Sequence, residues 1–159
     1  MTWKKSPTSL PNFSPSAISS LGDRVVTVGY KSGGLATKDL PEEAPAAWSS
    51  TDGRAWVEST ASARLPAFVF DDIVNVGGSL VAVGSSLQGT DGAPGVKIPR
   101  PPAGVWVSSD GTTWRLLAEN ASLKFRYQYD THIAYVDGRV VVVTFGASAD
   151  DIYIGKLIR

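Results

Sequence analysis

Ten residues recur within this chain. Ala47-Trp48-Ser49-Ser50-Thr51-Asp52-Gly53-Arg54-Ala55-Trp56 aligns without a gap on Val105-Trp106-Val107-Ser108-Ser109-Asp110-Gly111-Thr112-Thr113-Trp114, 58 residues further on. Thr2-Trp3 matches the end of both. A second track agrees with the first: Asp23-Arg24-Val25-Val26-Thr27-Val28-Gly29, Gly78-Ser79-Leu80-Val81-Ala82-Val83-Gly84 and Gly138-Arg139-Val140-Val141-Val142-Val143-Thr144 follow one another at steps of 55 and 60 residues. A period of this size confines the chain to stacked supersecondary units, each of which buries its apolar face only against a neighbour. Three copies are visible, approximately 7–60, 61–118 and 119–159, with 1–6 as a strand that closes the third. They form one domain over 1–159.

The middle copy shows what a unit is. Ile73 to Val76 predicts a short first strand, ended by Gly77-Gly78, a two-residue hairpin signal. Leu80 to Val83 predicts a second strand with no polar alternation, so both of its faces are expected to be covered. A Gly- and Pro-rich segment from Ser85 to Ala103 leads to a third strand, Val105 to Ser108, and Asp110-Gly111 turns the chain into a fourth, Thr113 to Leu117. Helical periodicity is not evident at length. Four short antiparallel strands per unit, with aromatics and turn glycines at fixed offsets, describe a blade of a β-propeller, so the fold expected is all-β with three four-stranded blades. Trp48, Trp56, Trp106 and Trp114 are expected to lie largely buried between blades.

Composition narrows the chemistry. Fifteen Lys and Arg balance fifteen Asp and Glu over 159 residues, which argues against nucleic acid or an anionic membrane as the main partner. The chain has no Cys and one His, so disulfides, thiolate zinc sites, cysteine nucleophiles and a His-rich metal centre are all excluded. No cofactor motif is present. No apolar run reaches the roughly 18 residues of a membrane span, and Met1-Thr2-Trp3-Lys4-Lys5 is not followed by a signal-peptide core, so a soluble chain is expected.

Ser50, Asp52, Gly53 and Trp56, with Ser108, Asp110, Gly111 and Trp114, resemble the Asp-box (BNR) repeats of sialidase-like propellers. In these repeats Ser, Asp, Gly and a terminal aromatic stabilise the turn between the third and fourth strands. The physics suits that role, since Asp accepts backbone N–H bonds inside a turn and Gly supplies positive φ. One departure is plain: the usual box has a residue between Asp and Gly, and here the two are adjacent. The resemblance implies that the boxes lie on the face away from any active site. A sialidase-like hydrolase also needs three converging arginines and a tyrosine activated by a glutamate. No residue set here matches that constellation, and Arg24 and Arg139 fall at hairpin turns on the far face.

Aligning Tyr153 or Ile154 with Trp48 leaves the third copy without its fourth strand, and Thr2 to Ser6 carries that strand's pattern. Three blades are fewer than the 4 to 8 of typical propellers. Two copies related by a two-fold axis would make a six-bladed ring, each N-terminal strand completing the partner's last blade; the competing explanation is a piece of a longer propeller.

Ligands of propellers usually meet the loops at the channel mouth, here Pro7 to Ser16, Ala61 to Asp71, Ala121 to Thr131, Lys31 to Pro45, Ser85 to Ala103 and Gly146 to Asp151. The most chemically loaded is the third. Phe125, Arg126, Tyr127, Tyr129 and Asp130, with Arg100 reaching over from the preceding copy, form the candidate ligand site: rings stack on a sugar or planar group while polar heads orient it. The other reading makes the same rings plugs of the blade interface. Phe68-Val69-Phe70-Asp71-Asp72 reads as core with a polar rim. Glu42-Glu43, Asp71-Asp72 and Asp150-Asp151 read as solvated loops, because neighbours in an extended chain point to opposite sides. No catalytic residue is assigned. The expected function is a non-catalytic binding or assembly module for a carbohydrate or a protein segment; the alternatives are a sialidase-like glycoside hydrolase and a fragment of a larger propeller protein.

Overall fold

The computed structural model of the chain describes residues 8–32, 43–59, 68–86, 104–117, 128–146 and 151–156. They form three antiparallel sheets built from consecutive stretches of chain. The first has the order β1 (Phe13–Leu21), β2 (Arg24–Ser32), β3 (Glu43–Ser50), β4 (Val57–Glu58). The second repeats it with β5 (Phe68–Val76), β6 (Ser79–Ser86), β7 (Gly104–Ser108) and β8 (Arg115–Leu116). The third contains β9 (Gln128–Val136), β10 (Arg139–Gly146) and β11 (Asp151–Gly155), and is three-stranded among the described residues. The expected closing strand, Thr2 to Ser6, lies outside them.

Turn chemistry explains the hairpins. Gly77 and Gly78 have φ of 55° and 84°, and Asp137 and Gly138 have φ of 50° and 74°. Positive φ at both central residues gives the turn whose twist matches that of the flanking strands. Register confirms the repeat: Trp48 pairs with Thr27, Trp106 with Ala82 and Tyr153 with Val142. Tyr153 is thus the third copy's counterpart of the two tryptophans.

The sheets stack in series, β5 resting against β1, β2 and β3 on one side and β9 on the other. The middle sheet is therefore sandwiched. Leu80, Val81, Ala82 and Val83 are at most 1 % exposed. Leu80 and Ala82 join Val26, Val28, Ala47, Trp106 and Trp114 in the core between sheets one and two, whereas Val81 and Val83 join Val76, Ile133 and Val142 between sheets two and three. Alternate residues serve different neighbours, which is why the strand carries no polar alternation. Phe70 wedges between two indoles, its ring 5.2 Å from Trp106 edge-on and 5.3 Å from Trp114. Burial of side chains of this size contributes roughly 1.5–3 kcal/mol each.

Four expectations are corrected. The first strand of the middle copy begins at Phe68 rather than Ile73, so Asp71 and Asp72 lie within a strand and half-buried, not in a solvated loop. The fourth strands pair over only two residues each, Arg115–Leu116 in place of Thr113 to Leu117. Tyr129 and Asp130 belong to β9, not to the loop before it. Trp48, Trp106 and Trp114 are buried as expected, but Trp56 is only half-buried: none of the described sheets packs over it as sheet one packs over Trp114.

Candidate functional site at the inner strand edge

Each sheet has two ends with different chemistry. At one end lie the hairpins between first and second strands and, in sheets one and two, the turns between third and fourth. In the first copy Ser50 Oγ accepts the backbone N–H groups of Gly53 at 2.9 Å and Asp52 at 3.3 Å and donates to Asp52 Oδ1, which in turn accepts the N–H groups of Arg54 and Ala55 at 2.7 and 2.8 Å. In the second copy Ser108 receives the N–H groups of Gly111 and Asp110 at 2.8 and 3.4 Å, and Asp110 Oδ1 those of Thr112 and Thr113, both at 2.7 Å. Gly53 and Gly111 supply φ of 69° and 72°. The backbone N–H groups of Arg54 and Ala55 hold the Asp52 carboxyl below its ordinary value. At Asp110 burial opposes the charge, but the N–H groups of Thr113 and Thr112 and the hydroxyls of Thr112 and Ser108 outweigh it and hold the carboxyl far below the usual range. These side chains thus hold the local path of the turn.

The opposite end differs. Every first strand carries a β-bulge there: between Pro15 and Ala17 in β1, between Phe70 and Asp72 in β5, and at Tyr129 in β9, where Asp130 pairs with Phe145 and Gln128 with Gly146. An extra residue bends the strand and re-aims the side chains around it, which is why bulges recur beside binding sites. Of the candidate ligand residues, Tyr129 and Asp130 therefore sit at this end of the third sheet, Tyr129 as the bulged residue itself. Phe125, Arg126, Tyr127 and Arg100 lie outside the described residues.

A cluster that sequence reasoning missed lies beside the bulges of β5 and β9. Asp72 accepts the N–H of Ile73 at 2.8 Å through Oδ1 and reaches across to β9 with Oδ2, which accepts the N–H of Ile133 at 3.0 Å. The same oxygen lies 3.5 Å from His132 Nδ1. The imidazole, 60 % exposed, stands edge-on to Phe145 at 5.9 Å between ring centres. Asp72 faces Val83 and His132 faces Val143, the same register in successive copies; that correspondence was the available signal. A carboxylate anchored by two backbone donors, a solvent-facing imidazole and an aromatic edge can hydrogen-bond hydroxyl groups and pack on a ring. Among the described residues no group of three His, Asp or Glu could hold a metal ion.

No family model matches the chain, and no curated protein matches its sequence. Solved structures do resemble it. The GH32 β-fructofuranosidase BmSUC1 of Bombyx mori superimposes with a TM-score of 0.53 at 14 % identity, over 96 % of this chain and 35 % of that enzyme. A mutant of the same enzyme in complex with sucrose gives 0.55, again at 14 % identity, over 96 % and 37 %. This chain thus spans little more than a third of the length of the enzyme it resembles. At that identity the likeness establishes the fold, a β-propeller type arrangement of four-stranded antiparallel sheets, as the repeat predicted.

Proposed function

We propose that the chain is a non-catalytic binding module of propeller fold that holds a carbohydrate at the bulged end of its first strands. The observation that carries this reading is the placement of bulges at one end of all three first strands, beside Asp72, His132 and Phe145. Two further points support it. At the opposite end, the turns of sheets one and two commit the carboxylates of Asp52 and Asp110 to backbone N–H groups of the turn itself, which favours the bulged end for ligands. An enzyme of similar fold has been solved with sucrose bound. The Ser-Asp-Gly turns make the bonds that a shortened Asp-box requires, which supports the likeness to sialidase-like propellers and a purely structural role for those residues.

Titration calorimetry against sucrose, short fructans and a glycan array tests the reading. We expect saturable binding of at least one glycan, weakened by more than about 1 kcal/mol in His132→Ala and in Tyr129→Ala without loss of folding, and no release of reducing sugar. Turnover of sucrose or of a fluorogenic sialoside would replace the module with a glycoside hydrolase. Absence of binding to any glycan would leave a protein segment as the ligand class.

A further inference from the structure

The two end sheets carry faces that the middle sheet does not leave open. In the third sheet, register puts Val141, Ala134 and Ile154 on one face together with Val143, His132 and Ile152. The other face, with Val142 and Ile133, is packed on sheet two. Ile152 and Ile154 are 67 % and 64 % exposed, and Val136 and Phe145 on the same side are exposed as well. This face is the copy of one already used twice. Val141 and Val143 stand where Val26 and Val28 stand in sheet one and Val81 and Val83 in sheet two, and both of those pairs are buried against the following sheet.

The complementary surface is also present. Sheet two meets sheet one through Ile73, Leu80, Ala82 and Trp114. One step back along the repeat, sheet one carries Ile18, Val25, Thr27 and Trp56 at those positions. Ile18 is 63 % exposed and Val25 and Trp56 partly so, while Thr27 is already buried and Trp48 is shielded by Phe13 and Lys31, so the open part of this surface is Ile18, Val25 and Trp56. A polar pair matches as well. Arg24 of sheet one donates to the Asp110 carbonyl in the turn of sheet two. Its counterpart Arg139 lies at the rim of the bare face, and the counterpart of the Asp110 turn is the exposed turn at Asp52 and Gly53.

We propose that a second copy of this chain covers the bare face of the third sheet with the outer face of its own first sheet, leaving the bulged end at His132 partly open as it is at its counterpart Asp72, and that two copies close into a six-sheet ring with two such contacts. Each contact repeats the junction between sheets one and two: the Asp52 turn of one copy docks over Arg139 and Val141 of the other, and Ile18 packs among Val143, Ile152 and Ile154. The contact is heterologous, so it forms rings or filaments depending on whether the rotation closes.

The intact chain is weighed by sedimentation and light scattering from 1 to 100 μM. We expect a particle of twice 16.8 kDa that does not grow with concentration. Ile154→Asp and Ile18→Asp each place a charge on an exposed position, so neither disturbs the fold, and each alone should yield monomers. Mixing the two variants should restore a dimer, because the third sheet of one and the first sheet of the other are unaltered and make one intact contact. Arg139→Ala should weaken the dimer by no more than about fivefold, since each of the two contacts loses one hydrogen bond at an exposed rim. A monomer at 100 μM, a dimer indifferent to both Asp substitutions, mass that rises without limit, or failure of the mixture to associate would each overturn the proposal.

Discussion

The turns at Ser50–Ala55 and Ser108–Thr113 are made of the same bonds at nearly the same lengths, yet they have different surroundings. The first is exposed at Thr51, Asp52, Arg54 and Ala55 and receives a hydrogen bond from the Thr8 hydroxyl at the Arg54 carbonyl, and a Cβ added at Gly53 would meet nothing within 4 Å. The second is docked on sheet one: Ser59 Oγ donates to the Gly111 carbonyl at 2.9 Å, Arg24 donates to the Asp110 carbonyl at 3.1 Å, and a Cβ at Gly111 would fall 2.7 Å from Val26. A hydrogen-bond network closed over four or five residues forms whether or not anything covers it. What the neighbouring sheet adds is burial of the following tryptophan, 2 % exposed at Trp114 but half-exposed at Trp56. The turn thus sets the local path of the chain, and the stack decides how much that path is worth.

The largest contrast is expected at the indoles. Trp114→Ala removes a ring packed against Phe70 and should lower stability by about 3–5 kcal/mol, whereas Trp56→Ala, lacking a covering sheet, should cost about 1 kcal/mol. Urea unfolding of both variants under conditions that keep the chain monomeric measures the difference; equal losses would mean that Trp56 is packed as tightly as Trp114.

Glycine gives the next contrast. Both turn glycines need positive φ, so alanine at either costs about 1 kcal/mol. At Gly111 the new methyl also collides with Val26, adding about 1–3 kcal/mol for overpacking, while Gly53→Ala carries the backbone cost alone. Thermal unfolding of the pair separates the two terms. A melting temperature of Gly111→Ala no lower than that of Gly53→Ala would show that the docked turn shifts freely.

Acidity offers a subtler test. Both turn carboxyls are held below the ordinary aspartate value, more so at Asp110. A depressed folded pKa stabilises the fold at any pH above the unfolded value near 3.9, and that contribution fades as pH falls from there toward the folded value. Stability should therefore decline on the acid side below about pH 4. Asp110→Asn should flatten that decline more than Asp52→Asn. A full pH–stability profile of each variant reads this directly, and parallel profiles would contradict the stronger hold on Asp110.

These contrasts also show what was legible in the residues. Turn chemistry and strand patterning are local, so Ser108, Asp110, Gly111 and the apolar run Leu80 to Val83 announced their roles in order. The half-burial of Trp56 was not announced, because burial depends on which sheet packs over a turn, and that is not written in the turn's own residues. Bulges escaped notice too: one extra residue at Asp71 shifts the alternation of β5 and leaves Asp72, rather than a residue of opposite parity, facing β9. Asp72 and His132 are 60 positions apart, and only the register of two different sheets brings them to 3.5 Å.

The smallest expected effects lie in the two polar contacts that dock the second turn. Ser59 is buried, so Ser59→Ala leaves the Gly111 carbonyl without its donor inside the interface and should cost about 1 kcal/mol. Arg24 makes its bond at an exposed rim, where water replaces a lost donor, and Arg24→Ala should cost no more than about 0.5 kcal/mol. Because both act on one turn, they should couple. In Gly111→Ala, where the clash with Val26 already lifts the turn from sheet one, removal of Ser59 Oγ should cost less than in the parent chain. A double-mutant cycle on Ser59 and Gly111, measured by chemical unfolding, gives the coupling energy. A value near zero would mean that the turn holds its place through its own bonds, and that the docked and exposed copies differ only in the burial of their tryptophans.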